Sequence, residues 1–290
     1  MNSRSLDGRT RVYGVVGHPV AHSLSPAMHN AAFSELEVNA IYVAFPSTPE
    51  QVSRMIEGVR AMNVSGVNVT VPHKSAVLPF LDEVTPLAQK VGAVNTIRND
   101  QGRLVGTNTD VGGFLRSLES LEVQVPQARV ALLGAGGSAR ALLVGLADAG
   151  ASRIWICNRT TERARQLIHE FQEQFPGTDL QVAELEALHA EPWDLLVNTT
   201  TVGMEHPESP VDLHAFQEVR YLADIIYKPA QTLLLQQAEQ LRIPSINGLG
   251  MLLYQGAEAF TFWTGLKAPT GVMRDALLSR LQDSPPTRSR

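Results

Sequence analysis

Cysteine is almost absent from this sequence, basic charge is not in excess, and no apolar run is long. Cys157 is the single cysteine among 290 residues. That excludes an internal disulfide framework and fits a reducing compartment. The formal net charge of −5 gives no support for a nucleic-acid surface, since such domains carry a basic excess. No stretch reaches the ~18 apolar residues that read as a membrane span. The first residues, MNSRSLDGRT, contain no apolar leader core, so the chain is read as cytoplasmic. Internal repeats and low-complexity linkers are also missing. What remains is the composition of a globular chain, 44% hydrophobic and 18% charged, long enough for one large domain or two ordinary ones. Many of the 22 glycines cluster just after apolar runs, which marks sites and not linkers.

Short β-like runs alternate with helical patterns over the first ~110 residues, the signature of an α/β unit with a largely parallel sheet. RVYGVV, AIYVAF and GVNVTV read as strands. SPAMHNAAFSEL, PEQVSRMIEGVRAM and KSAVLPFL read as helical. GAVNTIRNDQGRLVGTNTD reads as two strands joined by a tight turn at Asn99–Gly102. A second α/β unit begins at PQARVALLGAGGSARALLVGLADAG, with further strands at RIWIC, DLLVNTT and YLADIIY. Two helices, MLLYQGAEAFTFWTG and GVMRDALLSRLQ, close the pattern, and DSPPTRSR is expected to be a frayed tail. Two α/β domains with a cleft between them is the architecture this implies.

Gly134, Ala135, Gly136, Gly137, Ser138 and Ala139 follow the strand RVALL and match G-x-G-x-x-A. The first glycine allows the tight turn, the second lets backbone approach a pyrophosphate, and the small sixth residue lets the helix pack closely. The helix start then directs unpaired N–H groups at the phosphates. The strand context, which a glycine triplet alone lacks, makes this a dinucleotide site. At the end of the next strand, where an NAD-binding unit carries an acid for the ribose hydroxyls, stand Asn158, Arg159 and Thr160, with Arg163 one turn later. Two guanidiniums and a hydroxyl bind a 2′-phosphate that a carboxylate would repel. The cofactor expected is NADP.

Further polar clusters lie at strand ends and helix starts: Asn68, Thr70 and Lys74 in GVNVTVPHK, Asn95 in GAVNT, Asn108 and Asp110 in GTNTD, and Gln255 in GLGMLLYQ. Amides and hydroxyls fill a core poorly but suit a ligand rich in hydroxyls. In GHPVAHSLSPAMHN, Ser25 reads as an N-cap with Pro26 at the first helical position. Extended backbone would put the Ser23 and Ser25 hydroxyls on one face, with Leu24 turned away. Two hydroxyls and a helix N-terminus can bind a carboxylate. His18, His22, His29 and His73 lack a metal-site spacing, so no metal is expected; His22 and His29 are read as structural or rim residues.

Taken in order, GHPVAHSLSPAMHN, GVNVTVPHK, GAVNT, GTNTD, GAGGSAR, NRT and NGLGMLLYQ closely resemble the shikimate dehydrogenases, from about residue 12 to residue 265. The resemblance implies reversible NADP-dependent reduction of 3-dehydroshikimate to shikimate, on the route to chorismate and the aromatic amino acids. Lys74 and Asp110 would be the catalytic pair. Ser23, Ser25 and Tyr227 would bind the substrate carboxylate; Thr70, Asn95, Asp110 and Gln255 would serve the ring hydroxyls or position Lys74. Asn198 and Thr199, in NTTTVGM, together with Gly248 and Met251, would lie near the nicotinamide half of the cofactor. YKPA departs from the proline-rich segment that often follows that tyrosine, so Tyr227 rests on less than Ser25.

The implied fold is a substrate domain of residues 1–109 plus 248–290 and a Rossmann-like NADP domain of residues 110–247. A dual quinate/shikimate enzyme, an aminoshikimate-type paralogue and a non-catalytic ligand sensor are the alternatives. Retention of both Lys74 and Asp110 argues against the sensor. Shikimate or 3-dehydroshikimate is then the small-molecule partner, and the sequence leaves monomer and homodimer both open.

Overall fold

The structure, a computed structural model, describes residues 6–282; the DSPPTRSR segment lies outside the described residues. Two compact units are present, one containing residues up to Thr109 and those from Gln255 onward, the other Asp110–Tyr254.

In the first unit the chain forms β1 (Arg11–Gly17), α1 (Ser25–Glu35), β2 (Ala40–Pro46), α2 (Val52–Ala61) and β3 (Gly66–Val69). It continues as β4 (Glu83–Val84), α3 (Pro86–Val91), β5 (Thr96–Asp100) and β6 (Arg103–Thr107). The strands join in one sheet of order β2-β1-β3-β5-β6-β4. β1 runs parallel to β2 and β3, while β5 is antiparallel to both of its neighbours. Valines dominate the core shared with α2 and α3, among them Val16, Val59, Val67, Val69 and Val94, since β-branched side chains fit a pleated surface. The β5–β6 turn has positive φ at Gln101 (54°) and Gly102 (95°), the backbone of a two-residue hairpin loop whose twist matches its strands. Asn99 Oδ1 accepts the Gly102 N–H at 2.7 Å.

KSAVLPFL is not an α-helix. It forms turns closed by i→i−3 bonds such as Phe80 N–H to Val77 O, with one 3₁₀ turn at Leu78–Phe80. Pro79 has no N–H to donate and would clash with the carbonyl four residues earlier, so the α-helical ladder cannot run through it.

The second unit opens with α4 (Asp110–Leu118) and continues as β7 (Arg129–Leu133), α5 (Gly137–Asp148), β8 (Arg153–Cys157), α6 (Thr161–Phe171) and β9 (Asp179–Val182). Next come α7 (Leu185–His189), β10 (Pro192–Asn198), β11 (Glu218–Asp224), α8 (Leu233–Gln240) and β12 (Ser245–Ile246). All its strands are parallel, in the order β12-β11-β10-β7-β8-β9. Counted within the unit, that is the doubly wound order 3-2-1-4-5-6, whose switch point lies between its first and fourth strands, β7 and β10. α5 is buried nearly all round, from Ala139 to Ala147, and a Cβ on Gly145 would stand 2.9 Å from Val111 Cγ1 on α4.

Two helices end the described chain, α9 (Leu249–Thr264) and α10 (Thr270–Gln282). The division between units falls inside α9, between Tyr254 and Gln255, and not at Gly248. Residues 248–254 pack on the second unit. Gly248 N–H donates to Ile226 O at 3.0 Å, Gly250 lies against Ser117, and Arg116 sits over the Tyr254 ring at 4.5 Å.

Candidate active site

The glycine turn sits where the sheet order reverses. Gly134 has φ +108°, and a Cβ there would lie 2.5 Å from Thr199 Oγ1 at the end of β10. Only glycine takes that backbone conformation and that approach freely. Gly136 is exposed, and a Cβ on it would meet nothing within 4 Å. Space is therefore open over the turn. Gly136 caps α5 without any side-chain bond to the first-turn N–H groups, which leaves them to an anion. Ala135, Gly137 and Ser138 are half-buried, and Ala139 is fully buried where α5 packs on the sheet.

At the end of β8, Asn158 Nδ2 donates to Thr160 O at 2.8 Å, and Thr160 is the N-cap of α6. Arg159 and Arg163 are exposed. Neither is paired with a carboxylate among the described residues, whereas Arg165 on the same helix pairs with Glu162 at 3.3 Å. Two cations at a helix N-terminus oppose the macrodipole. An anion bound there relieves both. The residues present thus fit a 2′-phosphorylated dinucleotide.

In the first unit, Ser25 is the first residue of α1 and not its cap. Leu24 holds the cap position with helical backbone (φ −88°, ψ −8°) and no side-chain bond. The hydroxyl of Ser23 does the capping instead, accepting the Ser25 N–H at 3.2 Å. Leu24 is buried; turning it into the core winds the helix one residue early, so the extended geometry expected for SLS is not adopted. Tyr42 Oη donates to Asn68 Oδ1 at 2.7 Å, and Asn68 Nδ2 donates to Asn95 O and Thr96 Oγ1 at 3.3 and 3.1 Å. Asn95 Oδ1 accepts the Thr109 N–H at 2.8 Å. One buried network thus links Tyr42, Asn68 and Asn95, and Asn68 is wholly engaged within it. Asn108 Nδ2 ties back to Ala93 O at 3.0 Å.

Thr70 is half-buried beside Gly17, its N–H bonded to Val16 O. Lys74 is 9% exposed, and its carbonyl accepts the Val94 N–H at 2.8 Å. Its neighbour His73 is fixed by a bond between Nε2 and Ser47 O at 2.7 Å. Burying an ammonium is costly without partners, and hydroxyls, amides and carboxylates are the groups that offset the cost. Gln255 is buried on α9 in this unit. Asp110, also buried, is the first residue of α4 and belongs to the second unit.

Elsewhere in the second unit Tyr227 is half-buried, and burial pushes its phenol pKa up. Met251 is buried on α9, and Gly248 touches Ile225 so closely that a Cβ would fall 1.9 Å from its carbonyl oxygen. Asn198 is fully buried with its amide turned inward to Asp224 and Thr200, and Thr199 Oγ1 donates to Leu133 O. Among the histidines, His18 and His22 are exposed; His29 and His73 are buried. Among the described residues there is no group of three or more metal-ligating side chains and no helix long and apolar enough to cross a membrane. Sequence reading passed over Tyr42, Asp224 and Thr232. For Asp224 a signal existed: an acid closing an apolar strand.

Strand order and glycine turn together define a dinucleotide-binding α/β protein. Family profiles sharpen that class. Residues 15–97 match the shikimate dehydrogenase substrate binding domain, 117–203 match shikimate/quinate 5-dehydrogenase, and 248–278 match the shikimate 5′-dehydrogenase C-terminal domain. An NADP(+) shikimate dehydrogenase of a Geobacillus species is 46% identical over 275 residues, covering 94% of this chain and 99% of the relative. The enzyme of Methanothermobacter thermautotrophicus is 44% identical over 282 residues, covering 94% and 97%. Among solved structures, the Thermus thermophilus enzyme in complex with NADP(H) and shikimate superposes with a TM-score of 0.84 at 40% identity, covering 93% of this chain and 99% of that one. A ligand-free 5-ketofructose reductase from a Gluconobacter species also superposes, with TM-score 0.85 at 32% identity over 94% and 100%. The chain belongs to the shikimate dehydrogenase family.

Proposed function

We propose that this protein catalyses the reversible NADP-dependent reduction of 3-dehydroshikimate to shikimate. The observation that carries the proposal is Lys74, a cation only 9% exposed that closes a run of hydroxyl and amide residues. NADPH, when bound, supplies the hydride. Lys74 then gives its proton to the alkoxide oxygen, and in the reverse direction its neutral amine takes that proton back. Asp110 orients the lysine and pairs with a ring hydroxyl. Thr70, Asn95 and Gln255 bind the other hydroxyls, while Ser23, Ser25 and Tyr227 take the carboxylate.

Residues 134–139 hold the pyrophosphate. Asn158, Arg159, Thr160 and Arg163 hold the 2′-phosphate, and Thr199, Gly248 and Met251 face the nicotinamide half. The first unit is then the substrate domain and the second the cofactor domain. Monomer and homodimer are both compatible with these assignments. The low cysteine content supports a cytoplasmic setting.

The ketofructose reductase neighbour shows that this fold accommodates polyhydroxy ketones of more than one kind. A serine pair at a helix start favours the one that carries a carboxylate. Turnover by Lys74→Ala is expected to fall by about 10²–10⁴-fold, the range of general acid–base catalysis, with the shikimate KM changed far less. Lost binding with normal turnover of the residual complex would remove the catalytic role.

A further inference from the structure

Two loops of the second unit converge on one buried carboxylate. Asp224, at the end of β11, is 1% exposed. It accepts Asn198 Nδ2 at 3.0 Å, the Ile226 N–H at 3.1 Å and the Thr232 hydroxyl at 2.7 Å. The Asn198 amide is used on both sides, since its Oδ1 accepts the N–H and hydroxyl of Thr200 at 3.0 and 2.8 Å. Main chain runs beside these bonds: Ile225 N–H donates to Asn198 O at 3.1 Å, and Thr199 N–H to Leu133 O at 2.8 Å. The β10 loop is therefore fastened on one side to the strand that leads into the glycine turn and on the other to Asp224. Thr232 is the N-cap of α8, where its hydroxyl also accepts the Leu235 N–H at 3.3 Å. Tyr227 lies in the segment bounded by Asp224 and Thr232.

Asn198 has no exposed surface, so it has nothing with which to touch a ligand. All three partners of Asp224 can donate, an arrangement that suits an ionised carboxylate. Burial alone opposes that charge and pushes the Asp224 pKa up. In such a chain of bonds each link supports the next, and cutting one leaves a buried partner unsatisfied.

We propose that Asn198, Asp224 and Thr232 form a buried clamp that holds the Tyr227 segment in register with Thr199 at the switch point. Asn198 is thus a positioning residue and not a cofactor contact, a correction to the role its sequence position suggested. Which ligands the two loops face rests on the function proposed above; the clamp itself does not.

The test uses the full chain with Thr232→Val, which removes the hydroxyl, and Thr232→Ser, which keeps it. Amide hydrogen exchange is followed at Thr200 and Ile226, and kinetics are measured alongside. Thr232→Val is expected to speed exchange at both amides by about 10-fold or more, the factor that about 1.4 kcal/mol of lost hydrogen bonding gives; Thr232→Ser should restore it. The KM values for NADP and shikimate should rise together, while affinity for adenosine 2′,5′-bisphosphate, which lacks the nicotinamide, stays within about twofold. Unchanged exchange at Thr200 would overturn the clamp. So would an equal loss of adenosine 2′,5′-bisphosphate affinity, because the variant would then have loosened the whole unit. An inactive parent chain would sink the proposed function and leave the exchange result to decide the clamp.

Discussion

His29 has the surroundings of a phenylalanine. Its ring is fully buried, stacks on Tyr42 at 4.4 Å and leans on Trp263 at 5.3 Å, and neither nitrogen has a hydrogen-bond partner. Burial holds it neutral, with its pKa lowered from 6.5 to about 3. The folded state therefore binds fewer protons than the unfolded chain between these values, and stability falls as pH drops through that window. Unfolding free energy is expected to be flat above the ordinary histidine pKa and to lose about 2 kcal/mol by about pH 5. His29→Phe should flatten the decline, as urea titrations at the two pH values would show; an equal decline in the variant would place the acid sensitivity elsewhere. At the opposite extreme of exposure stands Arg159. Losing a charge-assisted bond of about 1.5–3 kcal/mol should raise the NADP KM of Arg159→Ala by about 10- to 100-fold while weak NAD use barely changes. Equal losses with both cofactors would remove the argument for 2′-phosphate recognition.

At the scale of elements, the glycine turn separates two demands that sequence alone merges. Gly134 is required by the fold itself, through its positive φ and its approach to Thr199. Gly136 is not, because a methyl there meets open space. Gly136→Ala should accordingly melt like the parent and still bind NADP poorly, since the methyl occupies the approach to the pyrophosphate. Gly248→Ala should instead lower the melting temperature, costing about 1–3 kcal/mol by overpacking against the Ile225 carbonyl. A lower melting temperature for Gly136→Ala would mean that its openness has been misjudged.

The long apolar strands β1, β2, β7, β8 and β10 were legible because their runs are distinct and end in glycine or polar clusters. The short edge strands β4, β9 and β12 were not, for two to four residues of mixed polarity carry no period. KSAVLPFL misled because apolar spacing outweighed Pro79. SLS misled because a cap and a first helical residue differ by one position in hydroxyl-rich sequence. Networks such as Tyr42–Asn68 and Asn198–Asp224 join residues far apart in the chain, and nothing in their local sequence announces them.

For the whole molecule, the proposed function gives the two units different parts of the chemistry. The parallel sheet with its switch point is a general dinucleotide support, so the second unit settles cofactor class but not substrate. In that proposal substrate identity rests on Ser23, Ser25, Thr70, Lys74 and Asn95 of the first unit and on Asp110 and Tyr227 of the second. Fold similarity does not make that distinction, since a ketofructose reductase superposes as well as the Thermus thermophilus shikimate enzyme does. The measurement that bears most directly on the central claim is the initial rate of oxidation of shikimate and of quinate, each with NADP and with NAD, followed by nicotinamide absorbance. Fast turnover confined to shikimate with NADP is the expected result. Comparable rates with quinate or NAD would contradict the specificity assigned to the serine pair and the arginines, and no turnover in any combination would contradict the function itself.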